Sequence, residues 1–185
     1  MDRMLLKRFF RLIENQFQYG GTKYAQTTEK EATDCLFDDF GKNWLFGTLA
    51  KYCKRYSNLK REKDLLKIAC YCFIIWLKRG YHLEEDGTDK IINTTVETKS
   101  KYFSTFKERF DDYLGTEDFG WAIVYRKEAL NHIYNLLYAF GKIDFNEICE
   151  SDLFDIFYWS YYLWDIEIPE EKKEKDEDVG NIKKD

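Results

Sequence analysis

Proline is almost missing from this chain. The single one, Pro169, follows the last apolar segment, so nothing before it breaks a helix by removing a backbone donor. Long hydrophobic runs are missing too: residues 68–77 form the longest, far short of the roughly 20 that cross a bilayer as a helix, and no transmembrane segment is expected. Residues 1–8 mix charges with apolar side chains. They lack the apolar core of a secretion signal, and acidic residues come too early for a transit peptide. Histidine is nearly absent, with only His82 and His132, and no Cys-x-x-Cys pair accompanies them. Neither a zinc-ligand spacing nor a Ser-His-Asp or Cys-His arrangement can be assembled from such a set. Gly20-Gly21-Thr22-Lys23 lacks the spacing of a Walker phosphate loop.

The cysteines, Cys35, Cys53, Cys70, Cys72 and Cys149, are an odd number set in apolar helical patterns, where the thiol acts as a small hydrophobe. That usage suits a reducing intracellular compartment, cytoplasm or nucleus. Cys70 and Cys72 lie two apart on an expected helix, which turns them roughly 200° away from each other and makes a joint metal site improbable.

Aromatic residues are abundant, with 15 Phe, 14 Tyr and 5 Trp. Apolar positions recur at helical spacing, which predicts an all-α fold: an irregular bundle of about six or seven helices around a central buried helix hairpin. Helix one covers residues 2–19 and stops at Gly20-Gly21; a capping box at Thr28-Glu29-Lys30-Glu31 opens a short second helix through Phe40, before Gly41. Asn43 caps a third helix over 43–56, the turn falls at Ser57-Asn58, and an apolar helix over 60–79 ends at Gly80. Residues 81–97, with Asp86-Gly87 and the β-branched run from Ile91 to Val96, read as a loop or one short strand. Helices resume over 100–113 and 121–140, then from 144 or 151 to 164. Residues 1–168 form a single helical domain on this reading, and 169–185 are a charged tail too poor in apolar residues to order.

Charge is unevenly divided. Residues 1–110 hold 21 basic and 15 acidic residues, residues 111–185 hold 8 and 19. The basic part is the expected partner for phosphate or nucleic acid, whose condensed counterions Lys and Arg displace. Gly47, Lys51, Lys54 and Arg55 fall at i, i+4, i+7 and i+8 on one face of the third helix. The next helix adds Lys60, Asp64, Lys67, Tyr71 and Lys78 along its single polar seam, and a hairpin turn would make the two seams neighbours. Arg grips phosphate through two parallel hydrogen bonds, and Gly lets a ligand come close. The same residues also read as an ion pair from Asp64 to Lys51 or Arg55 that fixes helix register without any ligand.

The stretch Gly47-x-x-x-Lys51-Tyr52-x-x-Arg55, followed by Asp64-Leu65-x-Lys67-Ile68-Ala69-x-Tyr71, resembles the core motif of a small helical phage and plasmid family, largely of unknown function, that includes phage nucleotide kinases. The likeness covers residues 47–71; this chain has Thr48 where the family usually has Asn, and it lacks the family's His-Pro opening. The resemblance implies an alternative reading, a deoxynucleoside monophosphate kinase-like enzyme using Mg with nucleotide, with Lys51, Arg55, Asp64 and Lys67 carried over.

Two further groups invite attention. Glu147-x-x-Glu150 and Asp152-x-x-Asp155 could each put two carboxylates on one helix face for a metal, although Ser151 also reads as a cap. The run from Phe157 to Trp164 is aromatic on every side, so Tyr158, Trp159, Tyr161, Tyr162 and Trp164 either meet a protein partner or pack inside the domain. The reading that unites these expectations is a non-catalytic helical subunit of a larger assembly. It contacts phosphate or nucleic acid through Lys51, Lys54, Arg55 and Lys67, and needs no membrane, metal or cofactor.

Overall fold

The computed structural model describes residues 2–24, 32–82, 95–116 and 126–167. Six α-helices run through them: α1 (Arg3–Tyr24), α2 (Ala32–Leu59), α3 (Glu62–Lys78), α4 (Val96–Thr116), α5 (Arg126–Phe140) and α6 (Glu150–Glu167), with one 3₁₀ turn at Phe145–Glu147. No strand occurs among the described residues, and the fold is all-α as the periodicity predicts. The capping box at 28–31, the Asp86-Gly87 turn, most of the suggested strand, the start of the 121–140 helix and the charged tail lie outside the described residues.

Local chemistry explains most helix ends. Asp2 caps α1 by accepting the amide of Met4 at 2.8 Å. The predicted stop at Gly20-Gly21 does not occur; α1 runs on to Tyr24. A terminating glycine needs positive φ, and only Gly41 and Gly80 adopt it among the described glycines. Gly41, at φ 62° and ψ −154°, separates the two helices read on either side of it within what is otherwise one long α2. Few residues with a side chain tolerate that backbone region. The reversal into α3 falls two residues later than Ser57-Asn58, at Lys60, which takes φ 51°. Gly80 closes α3 in a Schellman motif, with Gly80 N–H donating to Leu77 O at 2.9 Å and Tyr81 N–H to Trp76 O at 3.3 Å. The end of the β-branched run is a helix start and not a strand, because the Thr95 hydroxyl accepts the Thr98 amide at 3.1 Å and caps α4.

One hydrophobic cluster draws on all six helices. α3 lies at its centre, packed on α6, α2, α1 and α4, so the central hairpin of α2 and α3 is covered on its other side by the C-terminal helix. Between them, Phe10, Phe73, Phe103, Phe106, Phe110 and Phe157 interlock, as with Phe106–Phe157 at 5.0 Å and Phe73–Phe103 at 4.9 Å, both edge to face. Burying each such ring contributes about 1.5–3 kcal/mol, and each well-set ring pair adds about 0.5–1.5 kcal/mol. The antiparallel α3 and α6 are clamped at both ends by an indole on a carboxylate. Trp76 Nε1 donates to Glu150 at 2.6 Å, and Trp164 Nε1 donates to Glu62 at 3.0 Å. At the far end of the hairpin Lys78 pairs with Asp34 at 2.6 Å, with side chains 2% and 1% exposed. Lys78 also lies over the Phe37 ring.

Candidate functional site

The α2–α3 hairpin brings the two polar seams together. Asp64 has no solvent exposure and its carboxylate is gripped by Arg55, whose Nε donates to Oδ1 at 2.7 Å and to Oδ2 at 2.9 Å while Nη2 donates to Oδ1. The Arg55 side chain stays 40% exposed, so one partner is sealed and the other reaches water. This hydrogen bond to Asp64 raises the Arg55 pKa further above its ordinary value. The ion-pair reading of these residues is therefore realised in the fold, and Asp64 supports the hairpin from within.

Around that pair the other residues fall into place. Trp44, Lys51 and Arg55 lie at i, i+7 and i+11, on one face of α2. Lys51 Nζ stands 4.6 Å from the Tyr52 ring centre and the Arg55 guanidinium 5.1 Å from it. Across the hairpin Tyr71 touches Tyr52 and Trp44, each at 5.9 Å between ring centres. All three rings are half-buried. Lys67 sits one turn from both Asp64 and Tyr71 on α3 and is half-buried, while Lys51 and Lys54 are exposed. Gly47 is exposed, and a Cβ there would meet nothing within 4 Å, so it leaves an open step between Trp44 and Lys51 instead of a close backbone approach.

Tracing only helical seams misses part of this face. Exposed Arg61 and Lys63 continue it beside the seam residue Lys60 at the turn, and the signal is the charge run Lys60-Arg61-Glu62-Lys63-Asp64 itself, while Lys78 of the same seam leaves the face, sealed against Asp34. Its two acids are both engaged, Glu62 by Trp164 and Asp64 by Arg55. The Trp164 indole is neutral and leaves Glu62 its charge, so within this run the cations prevail by number, with Asp64 paired to Arg55 and Lys60, Arg61 and Lys63 exposed.

The aromatic run resolves residue by residue. Trp164, Tyr161 and Tyr158 are buried in the chain's own core, with Trp164 bound to Glu62 and the Tyr161 hydroxyl donating to Asp2 O at 3.2 Å. Those three follow the packing alternative, because α6 is covered by four helices and needs apolar residues nearly all round. Trp159 and Tyr162 remain half-buried, and Trp159 stacks on exposed His132 at 4.9 Å and 6°.

The paired carboxylates serve as hydrogen-bond acceptors. Glu147 accepts the Asp144 amide in a capping box, Glu150 takes Trp76 and Arg109, and Asp155 takes the Tyr113 hydroxyl at 2.6 Å. Among the described residues no group of three or more His, Cys, Asp or Glu is set to hold a metal ion. A cleft of about 320 Å³ between α4 and α6 is lined by Arg109, Asp112, Tyr113, Glu150 and Phe154, whose principal polar groups bond one another or their neighbours. All five cysteines are free. Burial pushes the Cys53 and Cys70 thiols up to about 12, and Cys72 well up too, so none of the three offers a thiolate. No described helix is long and apolar enough to cross a membrane. No family model, curated protein or solved structure matches this chain.

Proposed function

We propose that this chain is a non-catalytic helical subunit whose α2–α3 hairpin contacts phosphate groups of a polyanionic ligand, nucleic acid in particular. Lys51, Lys54 and Lys67 make the contacts together with the outer edge of Arg55, and Lys60, Arg61 and Lys63 extend the field at the turn. The observation that carries this reading is the clustering of these cations on one end of the hairpin, where Asp64 is paired with Arg55, Glu167 with Arg126, and Glu62, which accepts the neutral Trp164 indole, is outnumbered. A protein partner in a larger assembly would meet the half-buried Trp159 and Tyr162. A reducing compartment accords with the five free cysteines.

The nucleotide-kinase alternative carries over Lys51, Arg55, Asp64 and Lys67, and of these Asp64 is the one carboxylate that could act on a hydroxyl. Its carboxylate is fully buried and held on both oxygens by Arg55, which favours a supporting role and hence binding over phosphoryl transfer at this place.

The test is binding of inorganic polyphosphate, followed against salt concentration, for the natural chain and a Lys51→Gln/Lys54→Gln/Lys67→Gln variant. The natural chain should bind with a steep salt dependence, and each lysine taken away from a phosphate should make the fall of log K with log salt shallower. An unchanged affinity and slope would remove these lysines from the reading. Transfer of phosphoryl from a Mg-bound triphosphate to a deoxynucleoside monophosphate by the isolated chain would replace it with the kinase alternative.

A further inference from the structure

We infer that the acidic run Glu174-Lys175-Asp176-Glu177-Asp178, in the segment that continues from α6, docks on the basic turn between α2 and α3 and competes there with polyanionic ligands. This rests on the phosphate-contacting reading above and adds the regulation of that same site.

The fold fixes where that segment starts. Trp164 donates to Glu62 at 3.0 Å, and Tyr56, one turn before Lys60, donates its hydroxyl to Glu167 at 3.0 Å, with Arg126 pairing the same carboxylate. The last turn of α6 is therefore held against the end of α2 and the first turn of α3, and whatever follows Glu167 leaves the fold beside the turn. The start of α6 is at the opposite end of the hairpin, where Glu150 accepts the Trp76 indole at 2.6 Å. A segment attached there would begin a helix length away, about 25 Å along α3.

Charge supplies the attraction. Lys51, Lys54, Lys60, Arg61 and Lys63 are exposed. The acids nearest to them are paired or outnumbered: Asp64 lies with Arg55, Glu167 with Arg126, and Glu62 under the neutral Trp164 indole. Residues 170–173, Glu-Glu-Lys-Lys, balance to zero, whereas residues 174–178 set four acids against one lysine, a net charge of −3.

Reach and tethering supply the rest. From residue 167 to residue 176 an extended chain spans up to about 30 Å, while the face from Lys60 back to Lys51 covers about 14 Å of α2. Contacts between exposed charges are weak when the partners diffuse separately. A short linker changes that, because it holds its partner at an effective concentration on the order of millimolar. An external polyanion must displace the run before it meets the lysines.

The experiment compares the natural chain with a full-length Glu174→Gln/Asp176→Asn/Glu177→Gln/Asp178→Asn variant, which leaves every lysine and every described residue in place. Polyphosphate binding should tighten roughly three- to ten-fold in the variant at about 50 mM salt, and the gain should shrink by about 200 mM as screening weakens the contact. A zero-length carbodiimide, which couples a carboxylate to a touching amine, should join residues 174–178 of the natural chain to Lys54, Lys60 or Lys63. Mass spectrometry of the monomer band reads those links, and saturating polyphosphate should suppress them. Equal or weaker polyphosphate binding by the variant overturns the inference while the phosphate reading stands. Absence of links to those three lysines, or links formed only between two copies, overturns it in the same way. If neither the natural chain nor the variant binds polyphosphate, the phosphate reading falls and the competition with it, whatever links form.

Discussion

Arg55–Asp64 and Lys78–Asp34 both tie α2 to α3, one beside the turn and one at the far end of the hairpin, yet their surroundings differ. At the far end both side chains are sealed, 2% and 1% exposed, with Phe37 lying against the lysine. Beside the turn only the carboxylate is sealed, and the guanidinium stays 40% exposed. A charge removed from water is costly unless its partner and hydrogen bonds stay in place, so the sealed pair can only fix structure. The half-open pair fixes register too, while keeping a cation at the surface for another use. The contrast separates a basic residue that belongs to the fold from one that the fold presents.

The largest effect should come from breaking the sealed pair. Lys78→Ala leaves Asp34 buried without its cation and should cost about 3–5 kcal/mol in urea unfolding, while an Asp34→Leu/Lys78→Met double variant should recover most of the loss. Polyphosphate affinity measured on folded protein should be untouched by either change. A loss below about 1 kcal/mol for Lys78→Ala would mean that the two ends are not different.

The half-open pair should answer asymmetrically. Arg55→Ala strands a buried carboxylate and should cost about 2–3 kcal/mol, together with weaker polyphosphate binding. Asp64→Asn lets the guanidinium turn to water and should cost about 1 kcal/mol while tightening polyphosphate binding, since one negative charge leaves the face. Equal losses of stability, or a change of affinity with the same sign in both variants, would contradict the assignment of sealed and presented roles.

The smallest effect concerns a buried polar ring without a hydrogen-bond partner among the described residues. Neither ring nitrogen of His82 has a hydrogen-bond partner among the described residues, and the ring lies 4.4 Å from that of Tyr102. Burial, and secondarily the charge of Lys101, lowers its pKa below the usual 6.5. The unfolded chain therefore binds more protons in this window. His82 should weigh nothing on stability above about pH 7 and progressively destabilise the fold as pH falls below 6.5 toward the depressed value. Urea midpoints from pH 7.5 to 5 should drop more steeply for the natural chain than for His82→Phe; parallel curves would show that the ring is not held neutral.

How far these features were legible differs with their range in sequence. Apolar periodicity located each described helix, and Gly41 and Gly80 act as the local pattern suggests, because helix and turn chemistry is decided within a few residues. Gly20-Gly21 misled because the glycine pair is compatible with a continuing helix, at a cost of about 1 kcal/mol each. Arg55–Asp64 could be anticipated since one short turn joins its helices. Asp34–Lys78 could not: the residues stand 44 apart, and nothing near either says that the other will arrive. For α6, an aromatic helix with no polar face leaves a partner and internal packing equally open in the sequence, and only the four neighbouring helices bury Tyr158, Tyr161 and Trp164 while Trp159 and Tyr162 stay half-buried. The cations at the turn, Arg61 and Lys63, lay in plain view but outside the helical seams.

The two indole clamps between α3 and α6 bear on the life of the chain before it is complete. The pairs Trp76–Glu150 and Glu62–Trp164 join positions 74 and 102 residues apart, so α3, the central apolar helix, is made long before its principal cover exists. At a synthesis rate of about 5–20 residues per second, the stretch from the end of α3 to the end of α6 takes roughly 5–20 s to emerge. During that interval α3 has α1 and α2 to pack on but lacks the cover of α4 and α6, and its α6-facing side, with Trp76, stays exposed. A chain cut short ahead of α6 should therefore expose apolar surface and aggregate more readily than the full chain, because transiently uncovered hydrophobic surface drives association.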